Sequence, residues 1–251
     1  MPKTLADHLH AANRILVFTG AGISTPSGIP AFRGAGGIWT TRQPVMYQDF
    51  MEHEESRIEY WEYKLELWEE HRDAQPNTIH QSIVSLEQAG KVEMVVTQNV
   101  DGLHRAAGTS EDKLVEIHGT GTLVECQTCH HRETPGSSFD YFKRERKAPR
   151  CECGGYLKPA TISFGQSLRE DDLQRAFAAT ETCDLVLALG STLSVSPANA
   201  IPQTAAQAGA PYIIINRDET DHDNLPQLTL RLTGNVEEIF PPAIKKALLA
   251  P

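Results

Sequence analysis

Six short runs rich in Val, Ile and Leu constrain this chain more than any other feature: residues 14–18, 92–97, 114–117, 184–189, 212–215 and 228–232. Their unbroken apolar character suits strands covered on both faces, as in a parallel sheet. Helical segments lie between them. Residues 78–88 start after Pro76-Asn77 and stop at Gly90, 199–208 stop at Gly209, and 236–249 run to the C-terminus. This alternation predicts an α/β fold, a doubly wound parallel sheet with helices on both faces. Two segments break the pattern. Residues 57–71 are a polar, aromatic-rich helical stretch with no strand after it, and 126–156 are charged and turn-rich, with a cysteine pair at each end.

Ligands of open parallel sheets sit beyond the carboxyl ends of the strands, so the residues found there carry the functional information. The first run passes into Thr19-Gly20-Ala21-Gly22-Ile23-Ser24, a glycine turn that lets backbone approach a pyrophosphate. The usual dinucleotide fingerprint is incomplete: Thr25 stands at its third glycine, and residues 34–43 read as loop where a second strand and a ribose-binding acid belong. Instead the chain continues as Gly28-Ile29-Pro30-Ala31-Phe32-Arg33-Gly34. That is the pattern of a loop folding over a bound dinucleotide, in chemistry other than hydride transfer. The other runs end in Gln98-Asn99-Val100-Asp101-Gly102, His118-Gly119, Gly190-Ser191-Thr192, Asn216-Arg217-Asp218 and Gly234-Asn235. Among these His118 is the natural base, because imidazole exchanges a proton near neutral pH. No Gly-x-Ser-x-Gly elbow and no His-Glu-x-x-His motif occurs.

The spacing Cys126-x-x-Cys129 and Cys151-x-Cys153, with 21 residues between the pairs, matches two knuckles closing a tetrahedral four-thiolate zinc site. Four thiolates fill the metal's shell, so the zinc is expected to be structural, with His130 and His131 facing solvent. Cys183 reads as a small buried hydrophobe. Lys and Arg total 23 against 33 Asp and Glu, a net charge of −10 that disfavours nucleic acid or anionic membrane and suits cationic peptides. With neither a signal-peptide core nor a membrane-length apolar run, the expectation is a cytoplasmic protein, and a monomer.

In this order and combination the motifs resemble the sirtuins, NAD-dependent protein deacylases. The matching stretches are Gly20-Ala21-Gly22-Ile23-Ser24, Gly28-Ile29-Pro30-x-Phe32-Arg33, 97–104 (Thr-Gln-Asn-Val-Asp-Gly-Leu-His), His118-Gly119, the paired cysteines, Phe164-Gly165 and Gly190-Ser191-Thr192-Leu193. The resemblance spans essentially the whole chain. It implies a single catalytic domain with a Rossmann-like large lobe (1–33, 76–125 and 158–251). A small lobe would come from a helical insertion (34–75) and a zinc-binding one (126–157). By the same resemblance, Gly20, Ala21, Gly22, Ile23 and Ser24 hold the pyrophosphate, and Ile29, Pro30, Phe32 and Arg33 cover the ribose and nicotinamide. Asn99 and Asp101 line the nicotinamide pocket, with Gln98 near the ribose. Gly190, Ser191, Thr192, Asn216, Arg217, Asp218 and the turn from Gly234 to Val236 receive the adenosine half. The peptide pairs with Ile162, Ser163, Phe164 and Gly165, and His118 and Asn99 are catalytic. The implied reaction passes the acyl group from lysine to ADP-ribose: the acyl oxygen displaces nicotinamide, and His118 deprotonates a ribose hydroxyl. A mono-ADP-ribosyltransferase would share the NAD pocket, but His118 and the peptide-pairing segment favour the deacylase. Three departures stand out: Ala31 replaces an acid or threonine, Ser191-Thr192 inverts the usual pair, and Gln166 replaces a glutamate. The Tyr-x-x-Arg pair of desuccinylating members is absent, and alignment puts Glu62 and Leu65 at its positions, so the expected acyl group is neutral.

Overall fold

The computed structural model describes residues 3–31, 33, 37–38 and 42–249. Six parallel strands form the main sheet: β1 (Ile15–Thr19), β2 (Val92–Thr97), β3 (Leu114–Glu116), β7 (Leu185–Leu189), β8 (Tyr212–Asn216) and β9 (Leu228–Thr233). Their order is β3-β2-β1-β7-β8-β9, so the chain reverses its direction of travel across the sheet at β1. Every residue of the central strands β1, β7 and β8 is buried, which explains their unbroken apolar runs.

Alternate residues of one strand feed two separate cores. Ile15 and Val17 of β1 meet Leu185, Leu187 and Leu189 of β7 under helices α1 (Leu5–Ala11), α4 (Thr78–Gln88) and α9 (Val236–Leu249). Leu16 and Phe18 meet Val186 and Ala188 under α7 (Glu170–Thr182) and α8 (Ala200–Gln207), where the half-buried Cys183 also packs. Asn77 caps α4, its side chain accepting from the Ile79 N–H at 2.9 Å, and its amide also donates to Ile23 O at 2.8 Å. The helix start therefore anchors the glycine turn that follows β1.

A second, antiparallel sheet of β4 (Gly119–Cys126), β5 (Arg132–Glu133) and β6 (Leu157–Thr161) runs in the order β5-β4-β6. The sequence division left 119–125 and 158–161 with the large lobe; here they pair with each other in this small sheet. No apolar run announces them, because a strand such as Gly-Thr-Gly-Thr-Leu-Val-Glu-Cys is only partly buried and carries its glycines first. Helices α2 (Tyr47–Glu52), α3 (Glu54–His71) and α6 (Gly136–Glu145) pack on this sheet, while the short α5 (Leu103–Ala107) follows β2. Their core is aromatic: the Trp61 ring stacks on Phe142 at 6.0 Å and meets Phe139 edge-on at 5.3 Å. The helix read at 57–71 thus begins at Glu54, and its partner is this separate core rather than the main sheet. Among the described residues no helix is long and apolar enough to cross a membrane.

Candidate active site

Parallel pairing brings the carboxyl ends of the six strands to one edge, and a cleft of about 630 Å³ opens there between the two sheets. Its wall begins with the glycine turn. A Cβ on Gly22 would lie 2.8 Å from both the Cα and the O of Gly190, and the Gly22 N–H donates to Gly190 O at 2.8 Å. Backbone meets backbone here, so only glycine fits at either position. After Gly20 the chain winds into a 3₁₀ turn over Ala21–Ile23 rather than a long helix, the structural counterpart of the missing third glycine.

Of the residues expected to hold a dinucleotide, Gly20, Ala21, Gly22, Arg33, Gln98, Asn99, Gly190, Ser191, Thr192, Asn216, Arg217, Asp218 and Val236 line this cleft. Ile162, Ser163, Phe164 and Gly165 line it from the other side. Phe32 lies outside the described residues. Ile23, Ser24, Ile29, Pro30 and Asp101 are not on the wall. Ile23 is fully buried in the core under α4, and Pro30 is exposed. Ser24 and Asp101 stand behind Asn99: Ser24 Oγ donates to Asp101 Oδ2 at 2.7 Å and accepts from Asn99 Nδ2 at 3.1 Å. They set the Asn99 side chain and do not border the cleft themselves. Thr25, Val100, Gln166, Val195 and Pro197 also line it, together with the Gly234-Asn235 turn.

His118 lies in the two-residue turn between β3 and β4. Its Nδ1 lies 3.2 Å from Gln98 O, and a carbonyl only accepts, so Nδ1 carries the hydrogen and Nε2 keeps its lone pair. Burial lowers the His118 pKa, the Gln98 carbonyl opposes that, and the Arg33 charge lowers it further. The ring is therefore neutral near pH 7 with one basic nitrogen. The His118 carbonyl accepts from the Ile162 N–H at 2.7 Å, which ties the base to the start of the 162–165 segment.

Behind Asn99 a buried relay has its protons assigned by elimination. Thr19 Oγ1 donates to Thr97 Oγ1 at 2.8 Å, and Thr97 Oγ1 accepts the Asn99 N–H at 3.0 Å. With the Thr19 proton used, His104 Nε2, 2.9 Å from Thr19 Oγ1, must be the donor. His80 accepts from the Asn77 N–H at Nδ1 and so carries its proton on Nε2. The two rings meet edge to face at 5.0 Å. Burial drives the His104 pKa down to about 3, and it also lowers that of His80. In sequence His80 lies inside a helix and His104 just past the Asp101 turn, where a packing role is the natural reading; the bond from His104 to Thr19 depends on the fold.

At the other end, α3 presents Tyr63 and Lys64 to the cleft. Glu62 and Leu65, aligned with the Tyr-x-x-Arg positions, do not border it: Glu62 pairs with Arg146 on the outside, and Leu65 is buried in the aromatic core. Tyr60, one turn earlier, bonds Thr161 Oγ1 at 3.0 Å. Burial alone would raise its phenol pKa, but the charges of Lys158 and Lys64 outweigh that and bring it to about 7.

The four cysteines converge beside this lobe. Cys126 and Cys153 sulfurs are 3.5 Å apart, Cys129 and Cys151 3.7 Å, and all four lie within 4.8 Å of one another. Zn–S bonds of about 2.3 Å in a tetrahedron require S···S edges of about 3.8 Å, so the set fits zinc. A Cβ on Gly155 would come within 2.6 Å of Cys126 Sγ, so the knuckle needs a glycine there. His130 and His131 are exposed, and His130 faces Glu125 at 3.3 Å instead.

The model of the Sir2 family matches residues 20–197. The NAD-dependent protein deacetylase 1 of Bradyrhizobium diazoefficiens is 42% identical over 235 residues, covering 91% of this chain and 90% of that protein. The chain belongs to the Sir2 family. Another relative, the NAD-dependent protein deacetylase of Rhodopseudomonas palustris, is 40% identical over 230 residues, 91% of each chain. Solved Sir2 structures superpose closely. A histidine-to-alanine variant with a deacetylated p53 peptide and 3′-O-acetyl-ADP-ribose gives a TM-score of 0.87 at 31% identity, over 96% of each chain. A Sir2–p53 peptide–NAD⁺ complex gives 0.85 at 30% identity, over 97% of each. The cleft fits the Sir2 cofactor on its own terms: a glycine turn without side chains, polar strand ends from Gln98, Ser191 and Asn216, and dinucleotide-scale volume.

Proposed function

We propose that this Sir2-family chain is an NAD-dependent protein-lysine deacetylase that passes the acyl group from lysine to ADP-ribose and releases nicotinamide. The observation that carries the reading is His118. It is neutral, with Nε2 unprotonated, and it stands between the glycine turn that would hold the dinucleotide and the 162–165 segment that would pair with a peptide. Gly20, Ala21 and Gly22 would take the pyrophosphate, Ser191, Asn216 and Val236 the adenosine half, and Asn99 with Gln98 the nicotinamide ribose. Bound there, NAD supplies an activated ribose carbon whose nicotinamide the acyl oxygen displaces. His118 Nε2 takes up a hydroxyl proton, while Gln98 O keeps the ring in the right tautomer. Asn99 is held on three sides, by Gly20 O, Ser24 Oγ and Thr97 Oγ1, so it meets its ligand in a preset orientation.

Ile162 and Ser163, between the end of β6 and the turn at Phe164-Gly165, would pair with an acyl-lysine peptide in the added-strand mode of recognition. A chain of net charge −10 suits such lysine-containing partners better than nucleic acid. The zinc tetrad would hold the small lobe together and take no part in the chemistry. The test is nicotinamide release from NAD with an acetyl-lysine peptide against the same peptide unmodified. Release with the acetyl peptide alone supports deacetylation. Equal release with both overturns it and points to ADP-ribosyl transfer.

A further inference from the structure

The edge strand β9 carries a cation that the chemistry above does not use. Leu230 and Leu232 pack against the core under α4 and α9, so Arg231 between them points to the opposite face of the sheet. There its guanidinium, 18% exposed, meets the loop of residues 217–227 that joins β8 to β9. Nη1 donates to Asn216 O at 2.9 Å and to Leu232 O at 2.7 Å, Nη2 to Asp218 O at 2.7 Å, and Nε to Asp223 Oδ1 at 2.8 Å. Asp223 is itself held, accepting from Thr220 Oγ1 at 2.6 Å and from the Thr220 N–H at 3.2 Å. Burial would raise the Asp223 pKa, but the bonds from Thr220 and Arg231 outweigh it, so the carboxylate keeps its charge. One guanidinium thus ties the end of β8, the loop and β9 to one acid.

The groups that these bonds fix border the cleft, although Arg231 does not. Asn216, Arg217 and Asp218 line it together with Gly190 and Ser191. Asn216 Nδ2 donates to Asp218 O at 2.9 Å, the same carbonyl that takes Arg231 Nη2, so both lone pairs of that oxygen are filled. With Nδ2 committed, Asn216 offers its Oδ1 to a ligand. Asn216 O in turn accepts from Arg231 Nη1 and from the Gly234 N–H at 3.2 Å, which sets the Gly234-Asn235 turn against the end of β8. Backbone and amide of Asn216 are therefore clamped by a residue 15 positions later, on the neighbouring strand.

We propose that Arg231 is a positioning residue for the adenosine half of NAD: it fixes Asn216 and Asp218 at the end of β8 before the dinucleotide enters. The inference rests on the reading of this cleft as an NAD site. A loop that is already ordered loses little freedom on binding, whereas one released from Arg231 has to be ordered by the ligand, which weakens affinity. His118 and the 162–165 segment share none of these bonds, so the cost falls on the cofactor and not on the peptide or the chemical step.

The test is the affinity for ADP-ribose, read by titration calorimetry, beside steady-state kinetics with NAD and an acetyl-lysine peptide. Arg231→Met removes every donor and should raise the ADP-ribose Kd and the KM for NAD together by about tenfold, with kcat and the peptide KM within about twofold. Arg231→Lys keeps the Asp223 ion pair but cannot span the carbonyls, so it should fall between, and it decides the matter if Arg231→Met does not fold. In an Asn216→Ala background the Arg231→Met loss should shrink to about twofold, because the two residues act as one unit. An ADP-ribose Kd unchanged in both Arg231 variants, a loss shared equally by kcat and the peptide KM, or the full loss retained on Asn216→Ala overturns this inference alone. Wild-type protein that binds ADP-ribose yet turns over no acyl peptide overturns the deacylase reading, and the calorimetry still decides the inference. Wild-type protein that fails to bind ADP-ribose overturns both.

Discussion

At His118 one carbonyl decides the chemistry: Gln98 O accepts from Nδ1, so the basic nitrogen is Nε2. His118→Ala should fold and bind NAD yet lose about 10²- to 10⁴-fold in kcat, the usual cost of a missing general base. Wild-type turnover in that variant would remove His118 from the mechanism. Burial lowers its pKa from 6.5, so the acid limb of kcat/KM against pH should break below 6.5, with activity lost as the ring is protonated. His104 titrates for stability instead. Its folded pKa is depressed to about 3 against an unfolded 6.5. Stability from its neutral form is therefore full above pH 6.5 and lost as pH falls towards 3, roughly 5 kcal/mol in all. Thermal melts of the wild type should fall across that window, and those of His104→Asn should be flatter. Parallel curves would remove His104 as the source.

Among the elements, α4 and α9 have the bounds that their caps and apolar spacing predict, Thr78–Gln88 and Val236–Leu249. The small sheet was not legible, because β4 leads with glycines, β6 carries Lys158 and Pro159, and both gain their burial from partners far along the chain. Its stability should depend on the metal, since ligation energy at such sites is folding energy. Purified protein should contain one zinc, lost along with a lower melting temperature in Cys126→Ser. Trp61 and Trp68 both pack in this lobe, so tryptophan emission should report its loosening before the main sheet unfolds. A zinc content and melting curve unchanged by Cys126→Ser would overturn the ligand assignment.

At the scale of the whole molecule, the charge of −10 should favour the approach of cationic peptides. With a lysine- and arginine-flanked acetyl peptide, kcat/KM should fall severalfold as salt rises from about 0.01 to about 1 M, because screening shortens the reach of that charge from about 30 to about 3 Å. A salt-independent value would mean that recognition is local to the cleft. The sequence by itself determined the parallel sheet, the glycine turn after β1, the polar strand ends and the four-cysteine spacing. Each is a local signal: an apolar run, a backbone that tolerates no Cβ, or ligands a few residues apart. Only the tertiary structure decided which face of α3 meets the cleft, which ring nitrogen of His118 is basic, and that Ser24 and Asp101 stand behind Asn99. Those depend on partners that chain order does not rank by distance: Arg146 holds Glu62 across 84 residues, and Asp101 holds Ser24 across 77. A helix with aromatic and charged residues on every side has no face to read until such partners pin it.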